Sequence, residues 1–227
     1  MPERYLLIPA AGVGSRLNIG YPKQYFPLVG ELSMLEITVS RLMATELFES
    51  AVVVVSPEDQ YVKDCHFDDR VKVIACGGAT RAESVLNGLK KSGFTDEAWV
   101  FVHDAARPCV DKESLLRLIE AIDGDCDGAL LVQPVTDTVK RVVNGLVVDT
   151  LDRRELMRAQ TPQAFRCAQL TRALESVGSS VTDESSAMEA VGAKIKVVIG
   201  SPFNIKVTYP EDIDAARRYL SETDMKE

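Results

Sequence analysis

Short runs of apolar residues recur along the chain and are separated by stretches with helical spacing. The runs are rich in Val, Ile and Leu and lack polar alternation, which is typical of strands buried on both faces of a parallel sheet. Capping-box patterns at 80–83 and 208–211 predict helix starts. The predicted strands are 5–8, 51–56, 71–75, 99–103, 129–132 and 195–199. This alternation predicts an α/β fold with a doubly wound open sheet, which binds ligands at the carboxyl ends of its strands.

One segment departs from this alternation. Residues 139–151 form two β-prone runs around Asn144-Gly145, and Asn-Gly is the strongest short hairpin signal. An isolated two-stranded hairpin is marginal in water, so this valine-rich hairpin is expected to pack on something. A second copy of the chain and the hairpin's own domain both remain open as that partner. The whole chain, 1–227, is expected to form one domain with an excursion at about 136–158.

Composition and charge narrow the functional class. The 227 residues carry a formal net charge of −8 at pH 7, which argues against a nucleic-acid surface or a polybasic membrane patch. Five scattered cysteines without a C-x-x-C pair are typical of thiols in a reducing compartment. The sequence shows neither a membrane-spanning run nor a signal peptide, so a cytoplasmic protein is expected. In so acidic a chain, arginines and lysines near a candidate site are informative.

The loop after the first predicted strand has the composition of a polyphosphate site. Small residues at 10–12 let backbone N–H groups approach a bulky anion, and Arg16 and Lys23 supply positive charge. The two common nucleotide fingerprints are absent, however. Gly12 and Gly14 lack the third glycine of G-x-G-x-x-G, and Lys23 is not part of a Gly-Lys-Ser/Thr sequence. A plain glycine turn is the alternative interpretation.

Other segments carry candidate chemistry, each with a simpler alternative. Asp104 follows a predicted strand, where it could hold a divalent cation or a ribose hydroxyl, or merely pair with Arg107. The glycines at 77–78 precede a capped helix, whose N-terminus could bind an anion or simply follow a tight turn. Lys206 and the charged run at 152–154 would ordinarily be solvated.

Taken in order, these segments resemble a known family. The motifs P-A-A-G-x-G-x-R, P-K-Q, G-G-x-x-R-x-x-S, H-D-A-A-R-P, D-T-x-K-R, D-R, T-P-Q-x-F, T-D-E-x-x-A and N-I-K-V-T lie between about Ile8 and Tyr219. The set is similar to that of the 2-C-methyl-D-erythritol 4-phosphate cytidylyltransferases of the non-mevalonate isoprenoid pathway. Single motifs occur across sugar nucleotidyltransferases, but the full ordered set is specific. The resemblance implies a Rossmann-like, mostly parallel sheet with a protruding β-arm that interlocks two subunits as a homodimer.

The resemblance also implies a reaction and a site. CTP and methylerythritol phosphate would react with Mg²⁺ present, through in-line attack on the α-phosphorus of CTP. The implied catalytic residues are Arg16, Lys23, Arg153 and Lys206. The implied CTP contacts are Ala10, Ala11, Gly12, Gly78, Ala79, Arg81, Ser84, Asp104 and Ala105, with Asp104 also a candidate metal ligand. The implied contacts to the acceptor substrate are Thr138, Arg107, Thr161 and Thr182, with Thr138 and Arg153 supplied by the second subunit's arm.

Three alternatives remain. A ribitol 5-phosphate cytidylyltransferase is the nearest, because its acceptor is also a polyol phosphate; the run at 104–108 favours the methylerythritol enzyme by resemblance. A dehydrogenase domain is disfavoured by the missing third glycine. A non-catalytic nucleotide sensor would not need both Arg16 and Lys23, and release of pyrophosphate from CTP would exclude it.

Overall fold

The computed structural model describes residues 2–12, 20–178 and 181–224. Its elements in chain order are β1 (Arg4–Pro9), β2 (Pro27–Val29), β3 (Leu32–Ser33), α1 (Met34–Ala44), β4 (Ser50–Val55), β5 (Val71–Ala75), α2 (Arg81–Ser92), β6 (Trp99–Val102), α3 (Lys112–Ile122), β7 (Gly128–Pro134), β8 (Val139–Val143), β9 (Leu146–Leu151), β10 (Met157–Arg166), α4 (Cys167–Val177), α5 (Glu184–Ala190), β11 (Ile195–Ile199) and α6 (Pro210–Asp224). Short 3₁₀ turns lie at Lys23–Tyr25, Val62–Asp64 and Arg153–Glu155.

A seven-stranded sheet with the order β11-β7-β10-β6-β1-β4-β5 forms the centre of the fold. Strand β10 runs antiparallel to both of its neighbours, and the other pairs in the sheet are parallel. All six predicted strands are confirmed, with bounds that differ by at most two residues. The predicted mostly parallel α/β sheet is therefore confirmed.

Strand β10 was not predicted, because its sequence lacks the apolar run that marks the other strands. It carries Pro162 and several polar residues, and proline cannot donate to a strand ladder. The structure accommodates the proline with a register shift against β7 between Ala159 and Gln163. The hydrogen-bond ladder between β10 and β7 is interrupted at Pro162, so the missing N–H of the proline is not needed there. Strand β10 can therefore lie in the middle of the sheet despite its proline.

Helices cover both faces of the sheet, and the alternation of side chains along β1 shows how. Leu6 and Ile8 join the apolar cluster beneath α1 and α3, whereas Leu7 joins the cluster beneath α2 and α4. Each is fully buried, and burying such a side chain contributes about 1.5–3 kcal/mol. A third cluster packs α6 against α1 and β2. The carboxyl edge of the sheet is thereby held on a closely packed core.

The first predicted capping box is partly present, and a different carboxylate caps the second helix. Thr80 accepts a hydrogen bond from the N–H of Glu83, as predicted, but the Glu83 carboxylate accepts from the N–H of Ala79 rather than closing the box. Before α6, the Asp212 carboxylate accepts from the backbone N–H groups of residues 208 and 209. Sequence therefore located both helix starts and missed which carboxylate caps the second.

Strands β8 and β9 form the predicted hairpin. Asn144 and Gly145 have φ angles of 50° and 80°, as a two-residue type I′ turn requires. The apolar side chains between 142 and 148 are 51–72% exposed. The described part of the chain therefore leaves this hairpin largely uncovered. Among the described residues, no helix is long and apolar enough to cross a membrane.

Candidate functional site

A cavity of about 410 Å³ opens at the carboxyl ends of the central strands. From β1 the chain adds β4 and β5 on one side of the sheet and then returns to place β6 on the other. Open α/β sheets bind ligands at such a switch point. The lining comes from four segments and one lysine: Pro9, Ala10, Ala11, Gly12, Lys23, Gln24, Gly78, Ala79, Thr80, Arg81, Ser84, Asp104, Ala105, Ala106 and Lys206.

The first loop has small side chains at a point where the loop around Gly77 packs directly against it. A Cβ added to Gly77 would lie 2.2 Å from the Cβ of Ala11, so only glycine fits there. At Gly12, by contrast, no described atom lies within 4 Å of an added Cβ. The buried amide of Gln24 donates to the carbonyls of Ala10 and Gly12, at 2.6 and 3.0 Å. Gln24 stands in the P-K-Q motif, but nothing in its sequence neighbourhood indicates that it holds the first loop.

Two lysines line the cavity from segments that are far apart in sequence. Lys23 Nζ donates to the carbonyl of Val207 at 2.6 Å. Lys206 Nζ lies 2.8 Å from Oδ2 of Asp104, and its side chain is 40% exposed. The first loop and the segment before α6 therefore bring positive charge to one cavity of an acidic protein.

Asp104 is the hub of the charged wall. Its carboxylate is 9% exposed and contacts Arg81 Nε at 3.0 Å through Oδ1 and Arg107 Nε at 3.5 Å through Oδ2, in addition to Lys206. Burial raises the pKa of this carboxyl, but the three cations more than offset burial and hold the pKa well below its usual range. Asp104 is therefore ionised at neutral pH and already shared among cations.

A second residue at the end of β6, His103, fixes the turn that carries Asp104. Its Nε2 lies 3.0 Å from the carbonyl of Arg107, which can only accept, so Nε2 carries the proton. The Thr161 hydroxyl then donates to Nδ1 and accepts from the N–H of Asp104. Burial lowers the pKa of His103 to about 4, so the ring is neutral at physiological pH.

Arg107 and Thr161 lie behind the cavity wall rather than on it. The Arg107 side chain donates to the carbonyl of Asn204 at 2.7 Å, and burial lowers the pKa of its guanidinium. Thr161 is 4% exposed and engaged with His103. The structure therefore places these two expected substrate contacts as supports of Asp104, separated from the cavity.

Arg81 joins the wall to a residue that sequence analysis missed. Its Nη1 lies 2.5 Å from Oε1 of Glu184, the first residue of α5, which is 1% exposed. Glu184 belongs to the T-D-E-x-x-A motif, but nothing in that motif indicates a partner a hundred residues away.

Three further expected site residues, all of them described, do not line the cavity. Thr138 and Arg153 lie beside the hairpin and are exposed, and Arg153 donates to the carbonyl of Thr136. Thr182 is exposed just before α5. Arg16 lies outside the described residues. Apart from Arg107 and Thr161, the other expected residues all line this cavity: Ala10, Ala11, Gly12, Lys23, Gly78, Ala79, Arg81, Ser84, Asp104, Ala105 and Lys206.

The donor set of this cavity bears on metal binding. Asp104 is the one carboxylate among the described residues that line it, and its two oxygens face Arg81, Arg107 and Lys206. The described part of the chain holds no group of three His, Cys, Asp or Glu side chains arranged for a metal. A metal cage built from protein ligands alone therefore does not fit here.

The fold and cavity together define an enzyme class. A mostly parallel Rossmann-like sheet, with a small-residue loop, two lysines and a helix start around its switch point, is suited to an enzyme that transfers groups from nucleotides to other anionic substrates. The sequence model of the 2-C-methyl-D-erythritol 4-phosphate cytidylyltransferase family matches residues 5–222. The chain belongs to this family.

Individual relatives agree with this assignment. The 2-C-methyl-D-erythritol 4-phosphate cytidylyltransferase of Laribacter hongkongensis is 44% identical over 218 residues, 94% of either chain. That of Chromobacterium violaceum is 43% identical over 96% of this chain and 98% of its own. A crystal structure of a Francisella tularensis protein of the same name superposes with a TM-score of 0.83 at 35% identity, over 96% of this chain and 100% of that one.

Proposed function

We propose that this chain transfers the cytidylyl group of CTP to 2-C-methyl-D-erythritol 4-phosphate, giving 4-diphosphocytidyl-2-C-methyl-D-erythritol and pyrophosphate. Family membership supports the reaction. The observation that carries the location is the convergence of Lys23, Lys206 and the start of α2 on one cavity in a chain of net charge −8. Such a concentration of positive charge attracts two anionic substrates to one place.

The nucleotide half of the site is proposed to be the wall from Gly78 to Ser84. The N–H of Gly78 donates to the Ser84 hydroxyl at 3.0 Å, and a Cβ on Gly78 would lie 2.4 Å from that of Glu83. The loop is thus shaped by its own contacts before any ligand arrives. With Ala10, Ala11, Gly12 and Ala79 it offers small side chains against which a base and a triphosphate can pack.

The phosphate half is proposed to carry the chemistry. A phosphate oxygen of methylerythritol phosphate forms a bond to the α-phosphorus of CTP, while the bond from that phosphorus to the bridging oxygen breaks and pyrophosphate leaves with the electron pair. Lys23 stabilises the charge that develops on these oxygens. Arg16 is assigned the same role by resemblance. Lys206, the half-exposed cation of the Asp104 cluster, is suited to turn toward the acceptor phosphate.

Magnesium fits this site only as a companion of the nucleotide. Mg²⁺ commonly binds through substrate phosphates and water with one or two carboxylates, and Asp104 is the one carboxylate that the described cavity lining provides. When bound, the metal would shield the negative charge of the triphosphate. Asp104, already paired with three cations, is therefore retained as at most a single protein ligand.

The exposed hairpin is proposed to join two copies of the chain. Its apolar face is uncovered, and contiguous exposed apolar surface of this kind marks interaction sites. Arg153 and Thr138 would then reach the acceptor phosphate of the second copy's cavity. This arrangement accounts for their distance from the cavity of their own chain.

Pyrophosphate release tests the reaction and the acceptor together. Purified protein is incubated with each of the four nucleoside triphosphates, Mg²⁺, and either methylerythritol phosphate or ribitol 5-phosphate. We expect release only with CTP and methylerythritol phosphate. Release with ribitol 5-phosphate would favour the alternative acceptor, and no release with any pair would refute the proposal.

A matched pair of variants tests the contribution of the arm. Arg153→Ala is expected to raise the KM for methylerythritol phosphate by about tenfold, the loss of one charged contact, while sedimentation still shows dimers. Arg154→Ala is the control, because the Arg154 guanidinium pairs with Asp152 at 2.5 Å. If Arg153→Ala yields monomers instead, Arg153 has a structural role in the arm.

A further inference from the structure

One buried carboxylate near the cavity has no role in the proposed reaction. Glu184 is 1% exposed at the start of α5, and its Oε1 lies 2.5 Å from Nη1 of Arg81. Arg81 also contacts Asp104 through Nε at 3.0 Å. One guanidinium therefore bridges two carboxylates that are 80 positions apart (Asp104 and Glu184) and come from different elements. Arginine contacts the two carboxylates through separate nitrogens of a rigid planar group, a geometry that the compact ammonium of lysine does not reproduce.

The bridge depends on both of its ends. Arg81 Nη2 and Glu184 Oε2 are buried and have no hydrogen-bond partner among the described residues, so no further contact fixes the guanidinium. If Glu184 were absent, the two carboxylate oxygens of Asp104 would have to pair with all three cations, Arg81, Arg107 and Lys206. Without Glu184, Arg81 would compete with Lys206 for Asp104 or turn toward the phosphates of a bound nucleotide, since a buried charge does not stay unpaired.

We propose that Glu184 is a positioning residue, which holds the Arg81 side chain in place within the nucleotide wall. Arg81 then does not compete with Lys206 for Asp104 and does not turn toward the phosphate half of the cavity. This inference rests on the proposed function. The wall from Gly78 to Ser84 contacts the nucleotide before and during reaction alike. Loss of Glu184 should therefore weaken CTP binding more than it slows the chemical step.

The first measurement separates KM from kcat. Glu184→Gln keeps the shape and removes the charge. We expect its KM for CTP to rise by about tenfold, the effect of one lost charged contact, with kcat within about threefold of wild type. Glu189→Gln is the matched control, because Glu189 lies on the same helix and is exposed. A wild-type KM for CTP in Glu184→Gln would overturn the proposal.

A double-mutant cycle shows whether Glu184 acts through Arg81. Arg81→Lys keeps the charge but loses the two separate nitrogens that contact Asp104 and Glu184, so it should raise the KM for CTP as Glu184→Gln does. The combination should be little worse than either single variant. Independent, multiplying effects on the KM would contradict the inference. Arg81→Lys with a wild-type KM would contradict it as well, even if Glu184→Gln does not fold.

CTP binding measured by calorimetry distinguishes this inference from the proposed function. If wild-type protein binds CTP but releases no pyrophosphate with any acceptor, the proposed function fails, and the CTP affinities of the variants still test Glu184. If wild type is active and Glu184→Gln binds CTP as tightly, only the inference about Glu184 fails.

Discussion

The cavity and the hairpin differ in which side chains they bury and which they expose. Around the cavity, charged groups are buried and paired: Asp104 contacts three cations, and Arg81 contacts two carboxylates. On the hairpin, Leu146 and Val147 are 72% and 63% exposed. The charged groups at the cavity find most of their partners within the chain. The apolar side chains of the hairpin, by contrast, are left largely uncovered by the described residues.

This difference has energetic consequences. Preorganised charges lose no reorganisation energy when substrates bind, so changes at the cavity should alter chemistry and, where a group is buried, folding. A two-stranded hairpin that buries little apolar surface contributes little to the stability of its own chain. Changes there should alter association instead.

Lys23→Ala should lower turnover by about 10²–10³-fold, the loss seen when one preorganised charge stabiliser is removed. Lys23 lines the cavity and donates to the carbonyl of Val207. Steady-state pyrophosphate release measures the effect, with Lys90→Ala as the control, because Lys90 is half-exposed and pairs with Glu175 at the surface. Near-normal turnover would exclude Lys23 from transition-state stabilisation.

Acid should lower the free energy of unfolding of the protein through protonation of His103. Its pKa is about 4 in the folded chain, against an ordinary value of 6.5. Between these values the unfolded chain binds a proton that the folded chain does not, so the free energy of unfolding falls as pH decreases, by about 3 kcal/mol in total. Asp104, with its lowered pKa, adds to this loss only at still lower pH.

Urea unfolding at pH 7 and pH 4.5 measures this dependence. His103→Gln should show a much shallower loss than wild type. His66→Gln should show the wild-type loss, because the His66 side chain is 93% exposed. Equal pH dependence in wild type and His103→Gln would show that the buried ring does not couple folding to pH.

Gly77, behind the first loop, and Gly12, on the cavity lining, should separate effects on stability from effects on CTP binding. Gly77→Ala should cost about 1–3 kcal/mol of stability, because its Cβ would lie 2.2 Å from that of Ala11. No described atom lies within 4 Å of a Cβ at Gly12, so Gly12→Ala should leave the unfolding midpoint unchanged. If the triphosphate packs on this loop, Gly12→Ala should nonetheless raise the KM for CTP by about tenfold. An unchanged KM would place the triphosphate elsewhere.

The sequence predicted what depends on short-range pattern. Apolar runs located six strands, Asn144-Gly145 located the hairpin, and the ordered motifs located the lining of the cavity. Strand β10 was missed because Pro162 contradicts strand propensity, and only the register shift against β7 resolves the contradiction.

Contacts between distant segments could not be predicted from one sequence. Glu184 reaches Arg81 and Gln24 reaches the carbonyls of the first loop only after the sheet has brought these elements together. Arg107 and Thr161 were expected, by resemblance, to contact the acceptor substrate. The structure places both beside Asp104, where neither lines the cavity.

The smallest effect on the chain's own stability is expected at the hairpin. Leu146→Asp should change the free energy of unfolding of the dilute protein by less than about 0.5 kcal/mol, as is usual for exposed sites. If the hairpin joins two copies, the same variant should shift sedimentation from dimer toward monomer, because a carboxylate would be buried without a partner in the interface. Leu116→Asp, at an exposed leucine on α3, is the matched control and should leave the dimer intact. A Leu146→Asp dimer as tight as that of wild type would mean that the uncovered face of the hairpin is not the surface that joins the chains.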